Sequence, residues 1–357
     1  MASDGMTYAP VGKPTPVCKA GEFVFAATHL DHGHIYGQCN GLIEAGGELR
    51  WVYDSDPKRL KDFCERYPTA KPAPSLETIL EDPSVQLVAA AAIPNLRGPL
   101  GCQVMEAGKD YFTDKTPFTT LDQLASAREV AAQTGRKYMV YYSERLHVEC
   151  AVRAGQLIEQ GAIGRVIQLI GTGPHRLNAP SRPGWFFDHE QYGGILCDIG
   201  SHQCEQFLYY TGALDARVNF SAIANYNNPA YPGLEDFGEM SVTADNGASG
   251  YMRVDWFTPD GLRTWGDGRT IIMGTKGYIE LRKYIEVGAV NPEGDQLYLV
   301  DEKSEHHISC AGQVGYPFFG QLILDCLNRT ENAMTQAHAF KAAELCLQAQ
   351  VRAVRLS

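Results

Sequence analysis

FVFAATHLDHGHIYGQCNGLIEAGGELRWVYD, residues 23–54, is the stretch whose reading decides the fold. Phe23 to Thr28 reads as a short buried strand, followed by the turn Thr28-His29-Leu30-Asp31-His32-Gly33. Ile35 to Ala45 fits a helix, and Leu49 to Asp54 fits a second strand. Strand, turn, helix and strand make one βαβ unit, which belongs on a parallel sheet. The pattern continues outward. A helix over Pro57 to Tyr67 opens on Asp56 as N-cap, and another begins at Ser75. Strands follow at Val85 to Ile93, Asp110 to Asp114 and Tyr138 to Tyr142, separated by helices over Leu100 to Ala107 and Leu121 to Gly135. Five strands with intervening helices predict a doubly wound α/β domain over 21–145, behind a polar leader at 1–20.

Past residue 146 the texture changes. A helix at Cys150 to Gln160 leads into strands at Val166 to Gly171 and Val218 to Tyr226. Two hairpins follow, Met240 to Asp255 turning at Asp245-Asn246-Gly247, and Thr270 to Arg282 turning near Thr275-Lys276-Gly277. A helix over Ala339 to Val354 closes the chain. This predicts a second, α+β domain over 146–357 with a mostly antiparallel sheet.

The composition narrows the function classes. At 357 residues, 44% hydrophobic and 20% charged, the chain is an ordinary globular protein of two domains. A formal charge of −11 with no basic run argues against nucleic acid. The longest apolar stretch, Val85 to Ile93, is too short to span a bilayer. The leader lacks the basic-then-apolar pattern of a signal peptide. Ten scattered cysteines without a CxxC pair suit neither a disulfide framework nor a zinc module. The expectation is a cytoplasmic protein with reduced thiols and no membrane partner.

Ligands of a doubly wound sheet sit beyond the carboxyl ends of its strands, and three such ends carry chemistry. The turn after the first strand stands where GxGxxG would lie, but only Gly33 remains, with Thr28 and Leu30 in the other glycine places. Asp54 ends the second strand, 21 residues after Gly33, where a carboxylate would hold the adenosine ribose hydroxyls and favour NAD over NADP. Lys115 follows the strand Asp110 to Asp114, and an ammonium there can hydrogen-bond a reacting hydroxyl and ease its deprotonation. In Gly193-Gly194-Ile195-Leu196-Cys197-Asp198-Ile199-Gly200-Ser201-His202, Asp198 and His202 are spaced i, i+4 on a helix predicted over Ile195 to Tyr210. A carboxylate beside an imidazole orients it and raises its basicity, which suits a general base.

With these motifs the chain resembles the glucose–fructose oxidoreductase/inositol dehydrogenase/rhizopine catabolism (Gfo/Idh/MocA) family over nearly its full length. Asp54, Ile93-Pro94-Asn95, Asp114-Lys115 in place of Glu-Lys-Pro, the GGxxxDxGxH pattern through His202 and Gly274-Thr275-Lys276-Gly277 carry the resemblance. It implies an N-terminal Rossmann domain, a C-terminal domain with a large open sheet, a homodimer or homotetramer, and NAD-dependent chemistry on a hydroxyl carbon of a sugar or cyclitol. Lys115, Asp198 and His202 become the catalytic trio, with the base left open between Lys115 and His202. The cofactor would meet Thr28, Leu30, Asp31, His32, Asp54, Ile93, Pro94, Asn95 and Asp114. Two departures stand out: the phosphate turn lacks two glycines and gains Asp31, and Thr116 precedes the proline that usually follows the lysine directly.

The segment from Gly171 to Tyr192 is expected to overhang the crevice. His175, Arg176, Arg182, Trp185 and Tyr192, with Arg145 nearby, suggest a sugar bearing an acidic group. The alternative is that these arginines pair with Asp188 and Glu190 and order the loop. Two other functions stay open. A glycoside hydrolase could oxidise its sugar transiently and reduce it again on bound NAD. A metal hydrolase could use His29, Asp31, His32 and His34, although their order departs from HxHxDH and no metal is expected.

Overall fold

The computed structural model describes residues 4–290 and 293–356; residues 1–3 of the expected leader lie outside them. The described chain divides into two compact units. The first holds Met6–Tyr141 and Pro317–Phe340, and the second holds residues 4–5, 142–316 and 341–356.

In the first unit the chain runs β1 (Val24–Thr28), α1 (His34–Glu44), β2 (Glu48–Tyr53), α2 (Pro57–Arg66), β3 (Lys71–Pro72), α3 (Leu76–Glu81), β4 (Leu87–Ala90), α4 (Pro94–Glu106), β5 (Asp110–Asp114), α5 (Leu121–Thr134) and β6 (Tyr138–Tyr141). All neighbours are parallel and the order is β3-β2-β1-β4-β5-β6. This is the doubly wound order, whose crevice opens where the sequence of strands reverses beside β1 and β4. Every residue of β1, β4, β5 and β6 is buried, as expected of strands covered on both faces. The expected caps are in place: Asp56 accepts from the amides of Lys58 and Arg59, and Ser75 from that of Thr78.

Two elements depart from the sequence reading. The sheet has a sixth strand, β3, whose two residues are too few for any periodic signal and whose proline an edge position tolerates. Helix α4 begins at Pro94 rather than Leu100 and runs through Pro99. Pro99 has no N–H for the Asn95 carbonyl, and the Gln123 side chain replaces it, Nε2 donating to that oxygen at 2.9 Å.

The second unit contains α6 (Ser143–Leu146), α7 (Glu149–Glu159), β7 (Val166–Pro174), α8 (His189–Tyr192), α9 (Ile195–Asp198), α10 (Gly200–Thr211), β8 (Ala216–Ala224), β9 (Phe237–Ala244), β10 (Ser249–Asp255), β11 (Arg269–Gly274), β12 (Tyr278–Arg282), β13 (Gln296–Val300) and β14 (Glu305–Ser309). After α11 (Pro317–Asn328), α12 (Gln336–Arg352) leads to β15 (Val354–Arg355). The nine-stranded sheet runs β14-β13-β12-β11-β7-β10-β9-β8-β15 and is antiparallel except at β7–β10 and β8–β15. Both predicted hairpins are present, as β9–β10 and β11–β12. Helix α10 covers one face, where Gly250 leaves room for the Phe207 ring. No helix among the described residues is long and apolar enough to cross a membrane.

The domain boundary expected at 145/146 is too simple, because α11 packs with the first unit. Phe318 and Phe319 lie against Phe112, with ring centroids 5.9 and 6.4 Å away. Gly41 of α1 admits the Phe319 ring where a β-carbon would collide with it. Phe319 is 1% exposed. Phe319→Ala should therefore lower stability by about 3–5 kcal/mol, read as a fall in the urea midpoint; an unchanged midpoint would show that α11 is not part of this core.

Candidate active site

In the first unit, side chains rather than glycines set the β1–α1 turn. Asp54 is buried at the end of β2; its Oδ2 accepts the Leu30 amide at 2.6 Å and its Oδ1 the Asp56 amide at 2.7 Å. Arg59 of α2 donates to the same Oδ1 from Nη2 at 2.8 Å and reaches Asp31 Oδ1 at 3.1 Å. Burial pushes the Asp31 carboxyl up, and Arg59 opposes the shift. His29 takes the left-handed conformation at φ +52° and shares a 2.9 Å hydrogen bond between Nδ1 and Thr28 Oγ1.

The amides of Asp31 and Gly33 donate to no acceptor among the described residues. Open N–H groups at the start of α1, beside a carboxylate ending β2, fit the pyrophosphate and ribose of a dinucleotide. Gly33 has a second reason to be glycine: a β-carbon there would strike the Met6 carbonyl.

The end of β5 is the most heavily anchored point of this unit. Asp114 is fully buried, and its Oδ1 accepts from His34 Nδ1 at 2.9 Å and from the Lys115 amide at 2.8 Å. Arg97 Nη2 donates to Oδ2 at 3.2 Å. Burial alone would raise this carboxyl, but His34 and Arg97 hold it well below the usual carboxylate range. Arg97, 1% exposed, also donates to the carbonyls of Ala92, Lys115 and Thr116. Lys115 is thus gripped at both its backbone amide and its carbonyl. Ile93 and Pro94 open α4, and the Asn95 carbonyl is taken by Gln123.

Of the suspected metal ligands, His32 and His34 meet Asp114, all three offering atoms within 4.8 Å of one another. His29 and Asp31 do not join them and face Asp54 and Arg59 instead. His32 Nδ1 accepts the His34 amide at 3.2 Å, and burial holds this imidazole neutral. The cluster is a hydrogen-bonded anchor for β5 and the lysine turn.

In the second unit the predicted helix over Ile195 to Tyr210 is interrupted at Ile199, between α9 and α10. Asp198 ends α9 and His202 lies in the first turn of α10, both buried. Gly193 and Gly194 adopt φ +85° and +89°, which side chains disfavour, and let the chain turn into α9. Glu235 accepts the Ile195 amide at 2.9 Å, and Gln350 that of Leu196 at 3.0 Å. The Tyr192 hydroxyl accepts the Glu235 amide at 2.9 Å. Asp198 bears electrostatically on Arg182, and His202 on Glu144.

The arginines expected to meet an acidic substrate are engaged within the unit. Arg145 donates through Nε and Nη2 to Glu205 and lies 3.8 Å from the Tyr209 ring centre. Arg176 Nη2 donates to the carbonyls of Pro259 and Leu262 at 2.9 and 2.7 Å. Arg182 donates to the carbonyls of Leu177 and Arg176 and lies over the Phe186 and Trp256 rings. Asp188, expected to pair with an arginine, caps α8 instead. His175 sits between Trp256 and Trp265, while Trp185 packs half-buried on Phe186. Arg97, Glu144, Glu205, Glu235 and Lys283 were not singled out by the sequence.

Comparison with known proteins places this geometry. Residues 22–142 match the oxidoreductase family with an NAD-binding Rossmann fold, and residues 151–280 match the GFO/IDH/MocA C-terminal domain. A crystal structure of a protein from Erwinia carotovora atroseptica SCRI1043 superposes with a TM-score of 0.91 at 49% identity, covering 94% of this chain and 100% of that one. The scyllo-inositol 2-dehydrogenase (NAD(+)) of Bacillus subtilis (strain 168) is 27% identical over 276 residues, 75% of this chain and 77% of that protein. The D-xylose dehydrogenase of Paenarthrobacter nicotinovorans is 25% identical over 149 residues, 40% of this chain and 38% of that protein.

A doubly wound dinucleotide unit joined to a mixed-sheet unit defines an NAD-binding oxidoreductase. The chain belongs to the Gfo/Idh/MocA family.

Asp54 and Arg97 can be tested apart. Asp54→Ser should weaken NAD binding about tenfold or more, the value of about 1.4 kcal/mol of lost hydrogen bonding, and narrow the margin over NADP in calorimetric titrations. Arg97→Lys keeps the charge but loses the planar fork, so kcat should fall about ten- to a hundredfold while the NAD dissociation constant stays within about twofold. Wild-type turnover in Arg97→Lys would remove the guanidinium from the positioning of Lys115.

Proposed function

We propose that the protein is an NAD-dependent dehydrogenase of a neutral sugar or cyclitol, oxidising a secondary hydroxyl or reducing the corresponding ketone. Bound NAD supplies the hydride acceptor at its nicotinamide ring. Asp54 and the amides of Asp31 and Gly33 would hold its adenosine and pyrophosphate portions. Lys115, held through Asp114 and Arg97, hydrogen-bonds the reacting hydroxyl and stabilises the developing alkoxide. His202 takes the hydroxyl proton, and Asp198 supports its orientation.

The observation that carries the choice of a neutral substrate is the commitment of the arginines. Arg145 faces a carboxylate, while Arg176 and Arg182 spend donors on backbone carbonyls. Opening these forks to an acidic group would strand buried acceptors, at about 1–3 kcal/mol each. Names of relatives that act on inositol and xylose support the same substrate class.

A homo-oligomer is supported by the uncovered face of the large sheet. Ile271, Met273 and Tyr278 are 38%, 44% and 42% exposed there on the paired strands β11 and β12, and Tyr251 is 40% exposed on β10, across β7 from β11.

Two measurements test this reading. Neutral sugars and cyclitols should exceed their uronate counterparts of the same configuration in kcat/KM, with Arg176→Met leaving the ratio unchanged. Lys115→Ala and His202→Ala should each lower kcat by about two to four orders of magnitude, with NAD still bound. A preference for acidic sugars, or near-normal turnover in both alanine variants, would overturn it.

A further inference from the structure

Glu144, on the short helix α6, belongs to none of the family motifs, yet it stands at the centre of the charged groups around His202. It is 2% exposed. Its Oε2 accepts from Lys283 Nζ at 2.9 Å and from Gln203 Nε2 at 3.0 Å. Its Oε1 receives no hydrogen bond among the described residues and faces His175 Nε2 at 3.7 Å.

The tautomer of His175 gives that contact its meaning. His175 Nδ1 lies 3.1 Å from the Gly173 carbonyl, which can only accept, so Nδ1 carries a hydrogen. A neutral ring would then turn the lone pair of Nε2 toward the lone pairs of a carboxylate. A proton on Nε2 makes the contact attractive. His202, beside Gln203 on α10, bears on the same carboxylate. Burial opposes ionisation of Glu144, but Lys283, His202 and His175 together hold its carboxyl down at about 2. The attraction is mutual, so the carboxylate favours protons on both imidazoles.

We propose that Glu144 is a positioning residue whose buried carboxylate, counterbalanced by Lys283, sets the proton affinity of His175 and His202. The groups facing it are Lys283 after β12, His175 after β7 and Gln203 on α10, and His202, one residue before Gln203, bears on it electrostatically. His175 also meets the Trp256 and Trp265 rings. His202 also meets the Tyr142 ring at 6.4 Å, and Asp198 lies four residues before it. The flanking Arg145 and Glu205 neutralise each other. An imidazole serving as base gains basicity from the carboxylate, and the ammonium of Lys283 limits that gain.

The inference rests on reading His202 as the base. It is tested first without turnover, by NMR titration of the His175 and His202 rings in the cofactor-free full chain. Glu144→Gln removes the attraction for an imidazolium, so both rings should titrate lower by about one pH unit or more. Lys283→Met removes the opposing charge, so both should titrate higher. Glu144→Asp should return them toward wild type. In the active enzyme, the acid limb of kcat/KM should move in the same opposite senses. A merely structural role would lower rates at every pH without separating the two variants.

Unmoved ring titrations, or shifts of the same sign in both variants, overturn the proposal. If Glu144→Gln fails to fold, the upward shift in Lys283→Met alone decides it. Should opposite ring shifts occur in a protein that oxidises no sugar, the network stands and the assigned function falls.

Discussion

One buried guanidinium holds the carboxyl ends of β4 and β5 together in the first unit. Arg97 rises from the first turn of α4 and donates to the Ala92 carbonyl beyond β4, to the Asp114 carboxylate ending β5, and to the carbonyls of Lys115 and Thr116. A buried charge is stable only when paired and saturated with hydrogen bonds, and Asp114 with three carbonyls meets that condition. The planar fork fixes directions as well as distances, so the ends of two neighbouring strands and the lysine turn share one frame. His34 reaches the same carboxylate from α1, tying the β1–α1 turn into it.

How far the sequence could disclose this depended on the range of each interaction. The βαβ alternation, the caps at Asp56 and Ser75 and the helix end at Gly135 are local, and all lie where the sequence places them. Asp54 and Lys115 were visible as candidates because they end strands, where doubly wound sheets place their ligands. Arg97, Glu144, Glu235 and Lys283 were not, because each acts through partners many residues away. Glu144 and Lys283, for example, lie 139 residues apart in the chain.

The arginines at 145, 176 and 182 show a subtler limit. Their clustering in an acidic chain suggests an anionic ligand or, in its place, carboxylate partners within the protein. Backbone carbonyls leave no trace in side-chain sequence, yet Arg176 and Arg182 each place two hydrogen bonds on them. Pro99 is a similar case, since its helix survives only because Gln123 supplies the missing donor from α5.

The return of Pro317–Phe340 to the first unit has a consequence for biosynthesis. A nascent chain that has emerged only through Tyr141 has all six strands of the parallel sheet but not the Phe318 and Phe319 rings that pack on Phe112. That apolar surface stays uncovered while the whole intervening unit is translated. At about 5–20 residues per second, the wait is on the order of ten seconds or more. For that interval the dinucleotide unit lacks part of its core, and it is completed only when nearly the whole chain has been made.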